Sequence, residues 1–210
     1  MSRFCNCYKF NFKKKNYAYW ENRKTTTDEI QILKYLEGIK NLKFKKILHI
    51  GIGNSSLAKK FSSSKVIGIS ISNNEINYAK SMKINNYKVF FCDKYSSNLN
   101  KLCKKHKFDY IIDTNLKSYS CCQIAFNSMI KTLINSLNRR GKIITSRNGM
   151  KWYKKLVPKL TFNFKKFFYF KMKEVRGSND NILSLKELKM ICNCNNLKLS
   201  IDKKLCYLIK

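Results

Sequence analysis

Residues 46–55 read Lys46-Ile47-Leu48-His49-Ile50-Gly51-Ile52-Gly53-Asn54-Ser55. The apolar run at the start of this segment predicts a buried β-strand that ends at Gly51. Gly51 and Gly53 permit a tight turn and let a ligand approach the backbone closely. A helix over residues 55–61 would point its unpaired N–H groups towards that ligand. A strand, a glycine turn and a helix in this order therefore predict a ligand-binding loop.

Downstream of this segment, short apolar runs alternate with polar helical stretches. The apolar runs predict four further strands, over residues 66–71, 87–92, 108–113 and 142–146. The stretches between them predict helices over residues 73–82, 98–105 and 122–137. In the last of these helices, one apolar stripe is formed by Ile124, Met129, Leu133 and Leu137. Strands that alternate with helices indicate a parallel sheet with helices on both faces.

The end of the chain departs from this alternation. Residues 184–193 predict a helix in which Ser184 and Glu187 are spaced as a capping box. Residues 197–202 and 204–209 predict two strands whose connection is too short for a parallel crossover, so they form an antiparallel pair. The predicted fold class is therefore α/β: a three-layer α/β/α sandwich with a seven-stranded, mostly parallel sheet and an antiparallel C-terminal hairpin. A dinucleotide-binding dehydrogenase domain would continue with parallel units instead.

Two segments lie outside this scheme. Residues 1–44 form an N-terminal leader with one helix over residues 28–39, and residues 45–210 form the main domain. Within that domain, residues 147–182 exceed an ordinary connection and predict an insertion or cap. Between residues 151 and 173 the insertion interleaves lysines with aromatic rings and has no acid. Such a segment suits single-stranded nucleic acid, an anionic membrane surface or a cap over a small substrate. The remaining alternative is a structural cap whose aromatic rings face the core and whose lysines are solvated.

The chain is strongly basic, with 44 Lys and Arg against 12 Asp and Glu and a formal charge of +32. A basic surface attracts nucleic acid and other anions. However, only six of these cations are Arg, the residue that phosphate-reading sites favour. An excess of Lys and Asn with a single Pro is typical of an A+T-rich genome, so compositional drift is the favoured cause. No apolar run approaches 18 residues and no secretory signal is found, which predicts a cytoplasmic protein.

The nine cysteines do not show a metal-binding pattern. No two of them form a C-x-x-C pair, and the chain has only two histidines. A disulfide scaffold is typical of small secreted chains. We therefore expect reduced thiols, several of them in the core, and no metal site.

Several segments together carry a resemblance to a known family. Residues 47–55 resemble motif I of the class I S-adenosylmethionine-dependent methyltransferases. Gly68-Ile69-Ser70-Ile71-Ser72 is similar to the second-strand motif of that family and Phe91-Cys92-Asp93 to its third. Residues 108–113 resemble the fourth motif, and residues 137–144 resemble the segment that leads into the fifth strand. With the closing hairpin, the resemblance covers residues 45–146 and 184–210.

The resemblance implies S-adenosyl-L-methionine as cofactor and methyl transfer to an O, N or C nucleophile of a small metabolite or glycan precursor. It places Gly51 and Gly53 under the methionine part and Asp93 at the adenine amino group. For the aromatic segment at residues 17–23, the resemblance implies a fold over the cofactor, and an anchor in the core is the equally open alternative. The full set of implied cofactor-binding residues is Ile50, Gly51, Ile52, Gly53, Asn54, Ser70, Ile71, Cys92, Asp93 and Asp113. No catalytic residue is assigned; the candidates for contact with substrate are Asp113, Asn115 and Tyr119.

Ser70 departs most from the family pattern, because the family usually has an acid there that binds the ribose hydroxyls. A neutral hydroxyl makes a weaker hydrogen bond than a carboxylate does. This departure favours one alternative function, a non-catalytic binding protein with a degenerate methyltransferase fold. The charge and the insertion favour another, an RNA methyltransferase. His49 stands where an acid is common, and its place within a strand predicts a buried, hydrogen-bonded histidine.

Overall fold

A seven-stranded sheet with helices on both faces forms the body of the protein in the computed structural model, which describes residues 4–5, 24–151, 154–162, 168–176 and 181–210. The helices are α1 (Thr27–Glu37), α2 (Ser56–Lys60), α3 (Asn73–Ser81), α4 (Ser97–Lys105), α5 (Gln123–Ser136) and α6 (Leu185–Cys194). The strands of the large sheet are β1 (Lys46–Ile50), β2 (Lys65–Ser70), β3 (Tyr87–Phe91), β4 (Phe108–Asp113) and β5 (Leu137–Ser146), followed after the insertion by β8 (Lys198–Ile201) and β9 (Leu205–Ile209). The insertion contributes β6 (Lys154–Phe162) and β7 (Phe168–Arg176).

The strand order of the large sheet is β3-β2-β1-β4-β5-β9-β8. The first five strands are parallel, and β9 is antiparallel to both β5 and β8. This topology confirms the predicted fold class, including the closing hairpin. The chain leaves β1 towards β2 and later returns to its other side with β4, so the topological switch point lies between β1 and β4. Ligands of open α/β sheets bind outside the carboxyl ends of the strands at such a point.

Side-chain hydroxyl groups cap the starts of three helices. Thr26 Oγ1 accepts a hydrogen bond from the Glu29 N–H at 3.2 Å, which begins α1. Ser72 and Ser184 cap α3 and α6 in the same way. Each capping oxygen satisfies a backbone N–H that the helix itself leaves unpaired. The predicted helices therefore occur at their expected places, with ends that differ by at most two residues.

The predicted apolar stripe of α5 is wrong at its first position. Ile124 is 66% exposed. The buried side is instead formed by Ala125, Phe126, Met129, Ile130, Leu133 and Ile134. At 3.6 residues per turn, Ile124 lies about 140° from Met129 around the helix axis, so the two cannot share one face. Leu137 is buried but belongs to β5, which begins before the predicted start at residue 142.

The core consists of two layers separated by the sheet. One layer packs α4, α5 and α6 against one face through residues such as Leu99, Phe126 and Leu188. The other packs α1 and α2 against the opposite face through Ile32 and Leu57. Helices thus cover both faces of the sheet, as the alternation of strands and helices predicts.

The insertion contains an antiparallel hairpin outside the large sheet. Its strands β6 and β7 pair from Lys154 opposite Arg176 to Phe162 opposite Phe168. The nucleic-acid, membrane and cap interpretations depend on the side chains of residues 152–180, which the structure does not describe, and they stay predictions. The aromatic leader segment at residues 17–23 also lies outside the described residues. None of the described helices combines the length and apolar character needed to span a bilayer.

Candidate functional site

A cleft opens at the carboxyl ends of the parallel strands, around the switch point. Its walls come from the glycine turn after β1, the ends of β2 and β3, the loop after β4 and the start of α1. Its lining includes Ile50, Gly51, Gly53, Ser70, Ile71, Cys92, Asp93, Asp113, Asn115 and Tyr119, all of which the sequence singled out. Two further predicted residues, Ile52 and Asn54, do not line it.

Ile52 and Asn54 have structural contacts instead. Ile52 is fully buried and packs with Ile76 and Ala79 of α3. Asn54 accepts a hydrogen bond from the Ser56 N–H at 3.0 Å and thereby shapes the entry to α2. Both residues support the glycine turn from below, so the prediction of direct cofactor contact is not matched by the cleft lining at these two positions.

The glycine turn has the backbone conformation that its sequence predicts. Gly51 has φ +75° and Gly53 has φ +50°, a region that side chains other than hydrogen disfavour. A Cβ added at either residue would meet no atom within 4 Å. The space that these two missing side chains leave beside the cleft is therefore available to a ligand.

A carboxylate reaches the end of β2 from α3, where Ser70 had suggested that none was present. Glu75 lies in the first turn of α3, is 5% exposed and lines the cleft. Its Oε2 accepts a hydrogen bond from Ser70 Oγ at 2.5 Å. Ser70 Oγ in turn accepts from the Ser72 N–H at 3.0 Å. The serine therefore holds an acid supplied five residues further along the chain, which the sequence interpretation missed.

Asp93 provides a second buried carboxylate after β3. It is 4% exposed, and its Oδ1 accepts a hydrogen bond from the Tyr95 N–H at 3.0 Å. The neighbouring Cys92 is also buried, and burial raises the pKa of its thiol to about 12. Cys92 therefore remains a neutral thiol at physiological pH and contributes a small apolar surface to the cleft.

Asp113 is fully engaged by a residue that the sequence interpretation missed. Lys94 Nζ donates to Asp113 Oδ2 at 2.8 Å, and both side chains are buried. The same ammonium group donates to the carbonyl oxygens of Asn115 at 2.9 Å and Leu116 at 3.1 Å. Asp113 Oδ1 accepts from the Asn115 N–H at 3.1 Å. Asp113 therefore shapes the loop after β4, and its paired carboxylate is poorly suited to act as a general base.

The loop at residues 114–120 forms the cleft wall that follows β4, and it is held by distant parts of the chain. Tyr95 Oη donates to the Ser118 carbonyl at 2.8 Å. Lys117 Nζ donates to both carboxylate oxygens of Glu187 on α6, at 2.8 and 3.0 Å. Tyr119 has φ +59°, an uncommon conformation for a residue with a side chain. These contacts fix the loop so that Asn115 and Tyr119 line the cleft.

The start of α1 adds a fourth acid to the cleft wall, beside Glu75, Asp93 and Asp113. Glu29 is 9% exposed, and its Oε1 accepts from Ser56 Oγ at 2.5 Å. Burial raises the pKa of Glu29 above its usual value, although the hydrogen bond from Ser56 opposes this effect. The leader thus contributes a helix to the wall beside the glycine turn.

His49 lies just before the glycine turn and is 1% exposed. Burial lowers its pKa to about 4, so its imidazole is neutral at pH 7. Its Nδ1 has no hydrogen-bond partner among the described residues. The predicted burial is therefore confirmed, whereas the predicted hydrogen bonding is wrong at this nitrogen.

Together, these features suit an elongated ligand with hydroxyl or amino donors at one end. Glu75 and Asp93 can accept hydrogen bonds from such donors, and carboxylates make stronger hydrogen bonds than neutral groups. Ile50, Ile69 and Ile71 provide apolar surface between them. The glycine turn admits the other end of the ligand close to the backbone.

Comparisons with protein-family models and with curated proteins give no match, whereas comparison with solved structures does. A SAM-bound amino pentose methyltransferase of calicheamicin biosynthesis from Micromonospora echinaspora is 10% identical, with a TM-score of 0.59 over 98% of this chain and 99% of the other. Magnesium protoporphyrin IX methyltransferase from Synechocystis PCC 6803, with bound SAH, is 16% identical, with a TM-score of 0.56 over 86% and 81%. An S-adenosylmethionine-dependent methyltransferase from Mesorhizobium loti is 10% identical, with a TM-score of 0.56 over 88% and 98%. At such identities a likeness establishes architecture: this chain has the fold of the class I S-adenosylmethionine-dependent methyltransferases.

Proposed function

We propose that this protein is an S-adenosylmethionine-dependent methyltransferase acting on an O, N or C nucleophile of a small metabolite or glycan precursor. One observation carries the proposal: the Glu75 carboxylate, held by Ser70, lies at the end of β2 beside the glycine turn. It supplies the acid that the family pattern requires there and that the sequence alone lacks at residue 70. This compensation argues against a degenerate site and therefore against a non-catalytic binding protein.

The residues of the cleft fit the proposed cofactor part by part. Gly51 and Gly53 would border the methionine part, because no side chain blocks the backbone there. Glu75 would accept hydrogen bonds from the ribose hydroxyls, and Asp93 from the adenine amino group. Ser70 is a positioning residue that orients Glu75. When bound, S-adenosylmethionine supplies a methyl group activated by the adjacent sulfonium.

The acceptor would be oriented by the loop at residues 114–120. Asn115 and Tyr119 line the cleft there and offer an amide and a phenol for hydrogen bonding. Methyl transfer depends mainly on alignment of the nucleophile, so a fixed loop contributes more than a general base does. Asp113 is paired with Lys94, which agrees with a site that aligns the nucleophile and does not use Asp113 as a general base. The substrates named for two structural neighbours, an amino pentose and a magnesium porphyrin, are small molecules, which supports the proposed acceptor class.

Calorimetric titration with S-adenosylhomocysteine tests the cofactor site. We expect binding by the wild type and a loss of about tenfold to a hundredfold in affinity in Glu75→Gln, because a charge-assisted hydrogen bond becomes a neutral one. Glu37→Gln is the matched control, since Glu37 is an exposed acid that pairs with Lys60 away from the cleft. Absence of binding, or equal affinity in Glu75→Gln and Glu37→Gln, would contradict the proposal.

The acceptor class is tested by release of S-adenosylhomocysteine in the presence of candidate acceptors. We expect turnover with amino sugars or other small nucleophiles and little with RNA. Turnover that requires RNA and falls steeply with added salt would favour the RNA methyltransferase alternative.

A further inference from the structure

Three cysteine sulfurs lie together beside the cleft. They belong to Cys5, near the start of the chain, and to Cys121 and Cys122, which follow the loop after β4. The Sγ atoms of Cys5 and Cys121 are 3.2 Å apart, and those of Cys121 and Cys122 are 3.9 Å apart. All three sulfurs lie within 4.8 Å of one another. The fold therefore brings together thiols that are 116 residues apart in sequence.

These separations suit a single metal ion. A zinc ion lies about 2.3 Å from each thiolate sulfur, which places two sulfurs of one site about 4 Å apart. Cys121 is exposed and Cys5 is half-buried, so small rotations of both side chains can widen their 3.2 Å contact. The exposed position of Cys121 also gives an ion access from solvent.

Cys122 lies where negative charge is favoured, and the thiolate is the form of cysteine that binds metal. Cys122 is the N-cap of the 14-residue helix α5, and its Sγ accepts a hydrogen bond from the Ala125 N–H at 3.4 Å. The amino end of a helix favours negative charge. The net charge of +32 favours anionic groups across the protein in the same direction.

We propose that Cys5, Cys121 and Cys122 form a three-thiolate site for a thiophilic d10 cation, either Zn²⁺ or Cu⁺. Thiolate ligands select these soft or borderline ions over Mg²⁺ and Ca²⁺. The site joins the start of the chain to the cleft, because the Phe4 N–H donates to the Tyr95 carbonyl at 3.0 Å and Tyr119 precedes Cys121 by two residues. A bound ion would therefore fasten the N-terminal residues to the wall that the proposed acceptor contacts.

The test is a metal titration of the reduced, metal-free full-length protein in competition with a chromophoric chelator under anaerobic conditions. One titration uses Zn²⁺ and the other uses Cu⁺. The ion that the protein retains at one equivalent per chain is the ion that the site binds. We expect Cys121→Ser and Cys122→Ser each to weaken binding more than about tenfold, since each removes a sulfur ligand. X-ray absorption should show three sulfur neighbours at about 2.3 Å if the ion is zinc.

Two features keep this test separate from folding and from the proposed methyltransferase function. Serine is itself a good N-cap, so Cys122→Ser removes the metal ligand while keeping the start of α5. Cys194→Ser is the matched control, because Cys194 is an exposed cysteine outside the cluster. Metal binding is measured without cofactor, so failure of either proposal leaves the other intact. Equal metal binding by Cys121→Ser and the wild type would overturn the proposal. The proposal would also be overturned if Cys5 and Cys121 form a disulfide and the reduced protein binds neither ion.

Discussion

The two walls of the cleft are built in different ways. The wall at the ends of β2 and β3 is local: Ser70 binds Glu75 five residues on, and Asp93 binds the Tyr95 N–H two residues on. The loop at residues 114–120 depends on distant partners, with Lys117 paired to Glu187, 70 residues away. The first wall is thus specified by short sequence motifs, whereas the second is specified by the complete fold. A binding function can change through the second wall while the first stays the same.

We expect the largest effect from a variant that disrupts the loop at residues 114–120, the wall held by distant partners. Lys94→Met leaves the Asp113 carboxylate buried without its cation, and we expect a loss of about 3–5 kcal/mol in the free energy of unfolding. Lys60→Met is the matched control, because it removes the cation of an exposed pair with Glu37 and should cost less than about 1 kcal/mol. Chemical denaturation measures both. A double variant, Lys94→Met with Asp113→Leu, should recover much of the lost stability. Equal losses in Lys94→Met and Lys60→Met would contradict the importance of the buried Lys94–Asp113 pair.

The next effect concerns pH and β1, the strand that leads into the glycine turn. His49 has a pKa of about 4 in the folded protein against 6.5 when unfolded, because burial disfavours its charged form. The unfolded state therefore binds the proton first, and stability falls as the pH decreases from about 6.5 to about 4. At pH 5 this single group should cost about 2 kcal/mol relative to pH 8.

Denaturation of His49→Gln across this pH range tests the effect. The variant should have a flatter pH dependence than the wild type, whatever its absolute stability. His106→Gln serves as a control, because His106 is far less buried and should leave most of the pH dependence in place. An unchanged pH dependence in His49→Gln would show that other groups cause the acid sensitivity.

We expect the smallest effect from two matched helix caps, one for each of the two walls. Ser72 caps α3, which carries Glu75, and Ser184 caps α6, which carries Glu187. Ser72→Ala and Ser184→Ala should each lower the free energy of unfolding by about 1 kcal/mol. We expect Ser72→Ala alone to weaken the binding of S-adenosylhomocysteine, because α3 presents Glu75 to the cleft. Thermal denaturation and calorimetry check the pair, and equal effects on affinity would count against a locally built cofactor wall.

Much of the fold was predictable because its signals are local. Apolar runs, helix caps and the short connection before β9 predict the order of elements and the antiparallel closure. The glycine turn and Asp93 follow from the same kind of signal, since each stands directly after an apolar strand. The predicted buried face of α5 was wrong at Ile124. This residue is hydrophobic, but its angle around the helix axis places it away from the buried face.

The missed residues act through contacts that no local pattern encodes. Glu75 reaches back to the end of β2 only because Ser72 begins α3 at that point. Lys94 follows Asp93 in an ordinary polar stretch, and a buried ammonium group has no periodic signature. The cysteine cluster has no recognisable spacing, because its members come from the start of the chain and from the segment after β4. The sequence did contain a signal for Glu75. The strand that ends at Ser70 has no acid at its end, and Glu75 is an acid only five residues further on.

The position of β9 has a consequence for the order in which the sheet assembles. β9 lies between β5 and β8, so β8 joins the sheet only through β9. The pair can form by itself as a hairpin, but its docking on β5 brings together residues such as Ile144 and Tyr207, about 60 positions apart. Contacts of high sequence separation form late and slowly. We therefore expect the β5 edge to stay unpaired until the hairpin docks, and an unpaired strand edge is a site at which another chain can pair.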